Sequence, residues 1–166
     1  MNTSSIFKIV FIPGLLLASS VSFAAAATAS FQVSATVASQ CSISATALSF
    51  GTYDPTASGD NHASSTIAVT CSNLQGVTVA LDKGTTATST EGARLMALSG
   101  KPSMSYGLYS DTARTLNWGT TSGAVSTAGT GLASPVTLTV YGSIPKNQYT
   151  VAVGGYSDLI TATVTY

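Results

Sequence analysis

The chain has 166 residues, enough for one hydrophobic core, and 45% of them are hydrophobic while only 7% are charged, against roughly 25% in typical soluble domains. Six Lys and Arg balance six Asp and Glu, which excludes the basic footprint of a nucleic-acid binder and the polybasic patch that anionic lipid requires. One His and one Glu leave little material for acid–base catalysis, so the composition points to a structural or binding role.

Chain order begins with a targeting signal over residues 1–27. Lys8 and the free amino group supply positive charge, and Ile9 to Ala18 form an apolar run broken by Pro13 and Gly14. Ser22-Phe23-Ala24 and Ala25-Ala26-Ala27 both offer the small-x-small pattern of a signal peptidase site, which puts cleavage between Ala24 and Ala29. A membrane anchor is the poorer reading, because a spanning helix needs about 20 apolar residues. Loss of the leader removes Lys8 and leaves five basic against six acidic residues, a formal charge of −1. The mature protein is therefore expected to be exported without a membrane span, and its weakly charged surface favours association.

From Phe31 onward the apolar residues recur with period two, the mark of strands with one buried face. In the segment 28–40, Phe31, Val33, Ala35 and Val37 alternate with Gln32, Ser34 and Thr36. The domain proper, 41–166, opens with Cys41 and Ile43, followed by Leu48 and Phe50 and by the turn residues Gly51 and Tyr53-Asp54-Pro55. Ile67, Val69 and Cys71 share one strand face, Val77, Val79 and Leu81 a second, and Met104, Tyr106 and Leu108 a third. Gly119 to Gly131 has no apolar period and reads as an exposed loop or loose hairpin. Val136, Leu138 and Val140 alternate up to Tyr141-Gly142, and Ile160, Ala162, Val164 and Tyr166 form one face of a last strand whose other face is Thr161, Thr163 and Thr165.

Export makes the cysteines legible. Cys41 and Cys71 are the only pair, and outside the cytoplasm they are expected to form one disulfide, worth on the order of 3 to 4 kcal/mol by loop closure. Two thiols and His62 supply too few ligands for a metal site. Short strands with turns between them and one disulfide predict an all-β, immunoglobulin-like β-sandwich.

The Phe31–Val37 strand lies outside the disulfide loop. It can fold back as the first strand of its own domain, or it can be donated to a neighbour whose sandwich exposes an unpaired edge and an apolar cleft. Pattern alone leaves both open.

Several blocks carry a resemblance. Phe31 to Val37 leading into Cys41, Leu48-Ser49-Phe50-Gly51-Thr52-Tyr53, Tyr106 to Asp111 with Ala113-Arg114-Thr115 and Trp118-Gly119, Leu138 to Gly142 with Ile144-Pro145, Gly155 to Asp158, and Val164-Thr165-Tyr166 together resemble the spore coat U domain family. That family includes subunits of archaic, Csu-type chaperone-usher pili. The resemblance implies an incomplete immunoglobulin-like β-sandwich that lacks its seventh strand. It also implies assembly by donor-strand exchange, with a periplasmic chaperone and an outer-membrane usher as partners alongside other copies or related pilus subunits. Phe31, Val33, Ala35 and Val37 would then be the donor side chains. Ile160, Ala162, Val164 and Tyr166 would form the edge strand of the acceptor groove. The expected role is a shaft or connecting subunit supporting surface adhesion and biofilm formation, with no cofactor, no catalytic site and no nucleic acid. A secreted, self-complemented binding module or a coat component is the alternative.

Other candidates are weaker. His62 reads as a solvated residue of the Asp60-Asn61-His62 turn, and Ser143-Ile144-Pro145-Lys146 matches an S-x-x-K spacing without its companion motifs. Asp111 and Arg114 are expected to form a local ion pair, and Trp118 and Tyr109 to serve packing before carbohydrate stacking.

Overall fold

Alternating apolar side chains need a partner surface, and here they find it in two facing antiparallel sheets. The computed structural model describes residues 24–72, 76–120, 123–129, 131 and 134–166. Most of the segment expected to be a leader, residues 1–23, lies outside the described residues. All strands fall within Val37–Tyr166, which is a compact unit by itself. They are β1 (Cys41–Ala45), β2 (Asn61–Cys71), β3 (Val77–Leu81), β4 (Arg94–Met96), β5 (Met104–Tyr109), β6 (Val125–Thr127), β7 (Val136–Ile144) and β8 (Ala162–Thr165). One sheet has the order β1-β2-β7-β5-β4 and the other β6-β3-β8. Among the described residues there is no helix, hence none long and apolar enough to cross a membrane.

Ile67, Val69, Leu108, Val140 and Ile144 from the larger sheet meet Val77, Val79 and Leu81 from the smaller one, with Trp118 sealing the core. The fold is the expected all-β sandwich. Cys41 and Cys71 are register partners in the β1–β2 ladder and form the disulfide, which fastens an edge strand to its neighbour.

Three details differ from the expectation. Within Gly119–Gly131, Val125 to Thr127 form β6 and pair with β3, and Val125 packs on the core. A single Val in a Thr- and Gly-rich run produces no period, so the pattern hid this strand. Strand β7 runs on past Tyr141-Gly142 to Ile144. His62 sits not in a turn but in β2, exposed and opposite Ser143.

Residues 24–40 carry no regular secondary structure. Phe31, Val33 and Val37 are 86%, 83% and 91% exposed, and Ala35 is exposed as well. A strand is defined by its ladder, and among the described residues this patterned segment has none.

Candidate functional site

Each sheet ends in an open edge on the same side of the sandwich. Strand β1 pairs with β2 and strand β8 with β3, and neither has a second ladder among the described residues. After Ala45 one further ladder-type bond is made, Thr46 N–H to Thr66 O at 2.9 Å, and the chain then leaves the sheet. Between the two edges lies a groove of about 430 Å³. Its walls are Ala45–Leu48 and Asp158–Ile160 with Ala162, and its floor is Ile67, Leu81, Leu108 and Val140. All four floor residues belong to the buried core, so the groove opens directly onto the interior of the sandwich.

Of the β8 face predicted as a groove edge, Ile160 and Ala162 line this cavity. Val164 is half-buried against the core beside it, and Tyr166 is exposed beyond the end of β8. Thr161, Thr163 and Thr165 face outward, as the alternation requires.

At Leu48 the groove continues into a second cleft of about 530 Å³, walled by Leu48–Tyr53 and Val151–Tyr156 and floored by Met96, Met104 and Ile144. Leu48, which lines both clefts, and Phe50, which lines the second, rest on a glycine. A Cβ on Gly142 would lie 2.7 Å from Phe50 Cζ and 3.0 Å from Leu48 Cδ1. Only a bare Cα lets those two side chains lie down on β7. The Phe50 ring also meets the Tyr106 ring edge-on, with centroids 6.2 Å apart.

The β8 wall is pinned from behind by carboxylates. Asp158 Oδ1 accepts hydrogen bonds from the Thr85 N–H (2.9 Å), the Thr85 hydroxyl (2.7 Å) and the Leu159 N–H (2.9 Å), while Oδ2 accepts from the Tyr106 hydroxyl (2.7 Å). Burial raises the Asp158 pKa, but these donors outweigh it and hold the carboxyl below its ordinary value. Burial first, and then the Asp158 bond, push the Tyr106 phenol up. Asp82 Oδ1 accepts from the Gly84 and Thr161 N–H groups, and the Asp82 N–H donates to Thr161 O at 3.1 Å.

Behind this lies a fully buried arginine that the sequence pattern did not single out. Arg94 donates to the carbonyls of Leu81, Asp82, Glu91 and Trp118, at 2.6 to 3.3 Å. Burial lowers its pKa. The guanidinium satisfies carbonyls at the end of β3 (Leu81, Asp82), ahead of β4 (Glu91) and in the loop after β5 (Trp118), which is a structural use of charge. The expected Asp111–Arg114 pair is replaced by two separate roles. Asp111 accepts from the N–H groups of Thr115 and Leu116 and from the Thr115 hydroxyl. Arg114 donates to Gly142 O at 3.1 Å and lies 5.8 Å from the Tyr141 ring. Of the S-x-x-K pair, Ser143 is buried in β7, while the Lys146 amino group donates to Ser58 O. Trp118 is core, its indole N–H donating to Val79 O at 2.9 Å.

Comparison with known proteins addresses the family. A sequence profile of the Spore Coat Protein U domain matches residues 27–163. The chain belongs to the Spore Coat Protein U domain family. Protein U of Myxococcus xanthus is 38% identical to it over 165 residues, which cover 91% of each chain. Among solved structures, the chain is similar to one in the crystal structure of the CsuC-CsuE chaperone-tip adhesion subunit pre-assembly complex from archaic chaperone-usher Csu pili of Acinetobacter baumannii. The TM-score is 0.58 at 20% identity, covering 79% of this chain and 40% of that one. At that identity the likeness is one of fold, and this chain spans less than half the length of its structural neighbour. For this member of the Spore Coat Protein U domain family, the groove between β1 and β8 is the feature that calls for a function.

Proposed function

We propose that this chain is a structural pilus subunit, exported through the periplasm and polymerised on the cell surface by donor-strand exchange. The observation that carries the reading is the pairing of complementary deficits. One segment has the side-chain alternation of a strand and no ladder, and the domain has two open edges flanking a groove that reaches its core. Donated by one copy or a related subunit, Phe31, Val33, Ala35 and Val37 fill the groove of the next. Their backbone supplies the ladder that β8 lacks on its outer side. Each large side chain removed from water contributes roughly 1.5–3 kcal/mol. The contact joins unlike surfaces and does not close on itself, so it propagates as a filament.

Within this reading a periplasmic chaperone covers the groove before assembly, an outer-membrane usher organises the exchange, and the filament serves surface adhesion and biofilm formation. The likeness in fold to a chain of a chaperone-usher pilus complex supports the assignment. No ligand chemistry or cofactor enters. A second reading, a coat component or self-complemented secreted module, is favoured by the family's own description and by the 38% identity to Protein U.

The mature chain separates the two. It is expected to form oligomers in solution, and Val33→Asp is expected to reduce them to monomers that a synthetic Phe31–Val37 peptide stabilises against heat. A stable wild-type monomer that ignores the peptide, and that Val33→Asp unfolds, establishes self-complementation instead.

A further inference from the structure

The second cleft is as open as the first, yet a seven-residue donor does not reach it. Residue numbers rise along one wall of the combined groove, from Ala45 through Leu48 to Tyr53, while they fall along the other, from Ala162 through Asp158 to Val151. The two walls therefore run in opposite senses. A donor strand antiparallel to β8, the pairing that β3 already makes on its other side and the more stable one, has Phe31 at the Thr165 end. With its plugs on the inward face, in phase with Ile160, Ala162 and Val164, its last plug, Val37, then stands at the Asp158–Ile160 stretch, near where the two clefts meet at Leu48.

After Val37 only Ala38, Ser39 and Gln40 precede Cys41, the first residue of the donor's own β1. Four residue steps span at most about 14 Å. The wall from Leu48 to Tyr53, five residue steps, is itself about 17 Å long if extended. The donor's domain thus begins within about 14 Å of the junction of the two clefts, a reach shorter than the second cleft's wall. The cleft suits such a contact. None of its lining residues is charged, Met96, Met104 and Val151 lie in it, and Val153 on its rim is 104% exposed.

We infer that the second cleft, with Val153 on its rim, seats the Cys41 end of the donating copy, so consecutive copies touch body to body as well as through the strand. This rests on the donated-strand reading. The partner is a second copy of this chain, and the part that docks is the start of β1, where the Gln40 N–H bonds to Ser72 Oγ at 2.8 Å. The surface offered there is uncharged, like the cleft.

The test uses oligomers of the mature chain with the photo-crosslinker p-benzoylphenylalanine in place of Val153. Cross-links are expected to fall on residues 38–45 or 68–72 of a neighbouring copy and to vanish when Val33→Asp is added. A Val153→Ser chain is expected to assemble but to lose subunits in denaturant about tenfold faster, the effect of exposing one Val. Oligomers that form normally, give no cross-link to that region and dissociate at the parental rate overturn the docking and leave the strand donation standing. Cross-links that persist with Val33→Asp overturn both, because the contact then needs no donated strand.

Discussion

The Tyr106 hydroxyl donates to Asp158 Oδ2 across 2.7 Å, and this bond joins β5 of one sheet to the segment that leads into β8 of the other. Asp158 is the first residue of the groove wall that continues through Leu159 and Ile160, so this bond ties that wall to a tyrosine outside the cavity.

Loss of that contact has a measurable signature. Tyr106→Phe keeps the ring and removes the donor, and Asp158→Asn keeps the shape and removes the charge. Each is expected to cost about 1–2 kcal/mol in urea unfolding of the mature chain, with a coupling near 1 kcal/mol in the double-mutant cycle. Additive effects would show that the bond does not couple the sheets.

Acid acts on the same residue. The folded Asp158 pKa lies below its ordinary value, so its contribution to stability is complete above roughly pH 5 and is lost as pH falls through the folded pKa. Asp54, which is exposed, and Asp111, which is partly exposed, are lowered as well and add to the slope, Asp54 chiefly by the Thr56 side-chain hydrogen bond and Asp111 chiefly by the Leu116 backbone hydrogen bond. The melting temperature of Asp158→Asn is therefore expected to fall less steeply than the parent's below pH 5. Parallel pH profiles for parent and variant would remove Asp158 from the account.

Arg94 should tolerate no apolar replacement. Arg94→Met leaves four carbonyls without their donor in a fully buried site and is expected to destabilise the domain by about 3–5 kcal/mol in the same unfolding assay. Arg94→Lys should recover part of that, since an ammonium reaches fewer of the carbonyls than the planar fork.

A single methyl group tests how the groove is built. Gly142→Ala drives a Cβ into Phe50 and Leu48, and overpacking of this kind costs about 1–3 kcal/mol. Because Leu48 lines both clefts and would have to shift, the variant is also expected, on the donated-strand reading, to bind a Phe31–Val37 peptide more weakly than the parent. Unchanged peptide binding would show that Leu48 takes no part in seating the peptide.

The strands that the sequence disclosed are those whose inward residues are all apolar. Val77, Val79 and Leu81 in β3, or Val136, Leu138 and Val140 in β7, announce their faces because burial selects every second side chain. Strand β4 did not, because its most buried residue is Arg94, and a period built on hydrophobicity skips a buried guanidinium. Strand β6 did not, because three residues with one Val carry no period. The groove was half legible. The inward face of Ile160 and Ala162 follows from alternation and its place at a groove edge from the family resemblance, whereas the opposite wall at Ala45–Leu48 lies where β1 leaves its ladder, near the contact of Phe50 with Gly142 about 90 residues away. The Asp158 anchor was hidden for the same reason, since its partners Thr85 and Tyr106 are neighbours only in space.

The Cys41–Cys71 bond bears on how a thread of such subunits would carry load. If residues 31–37 are donated as proposed, a pull on them arrives at Cys41, the first residue of an edge strand, and edge strands unzip one hydrogen bond at a time when drawn from an end. The covalent link diverts the pull at its point of entry into β2, whose ladder with β7 runs from Asn61↔Ile144 to Val69↔Val136. The load then falls on a central strand held along both of its sides. Reduced, the same subunit would begin to give way at β1.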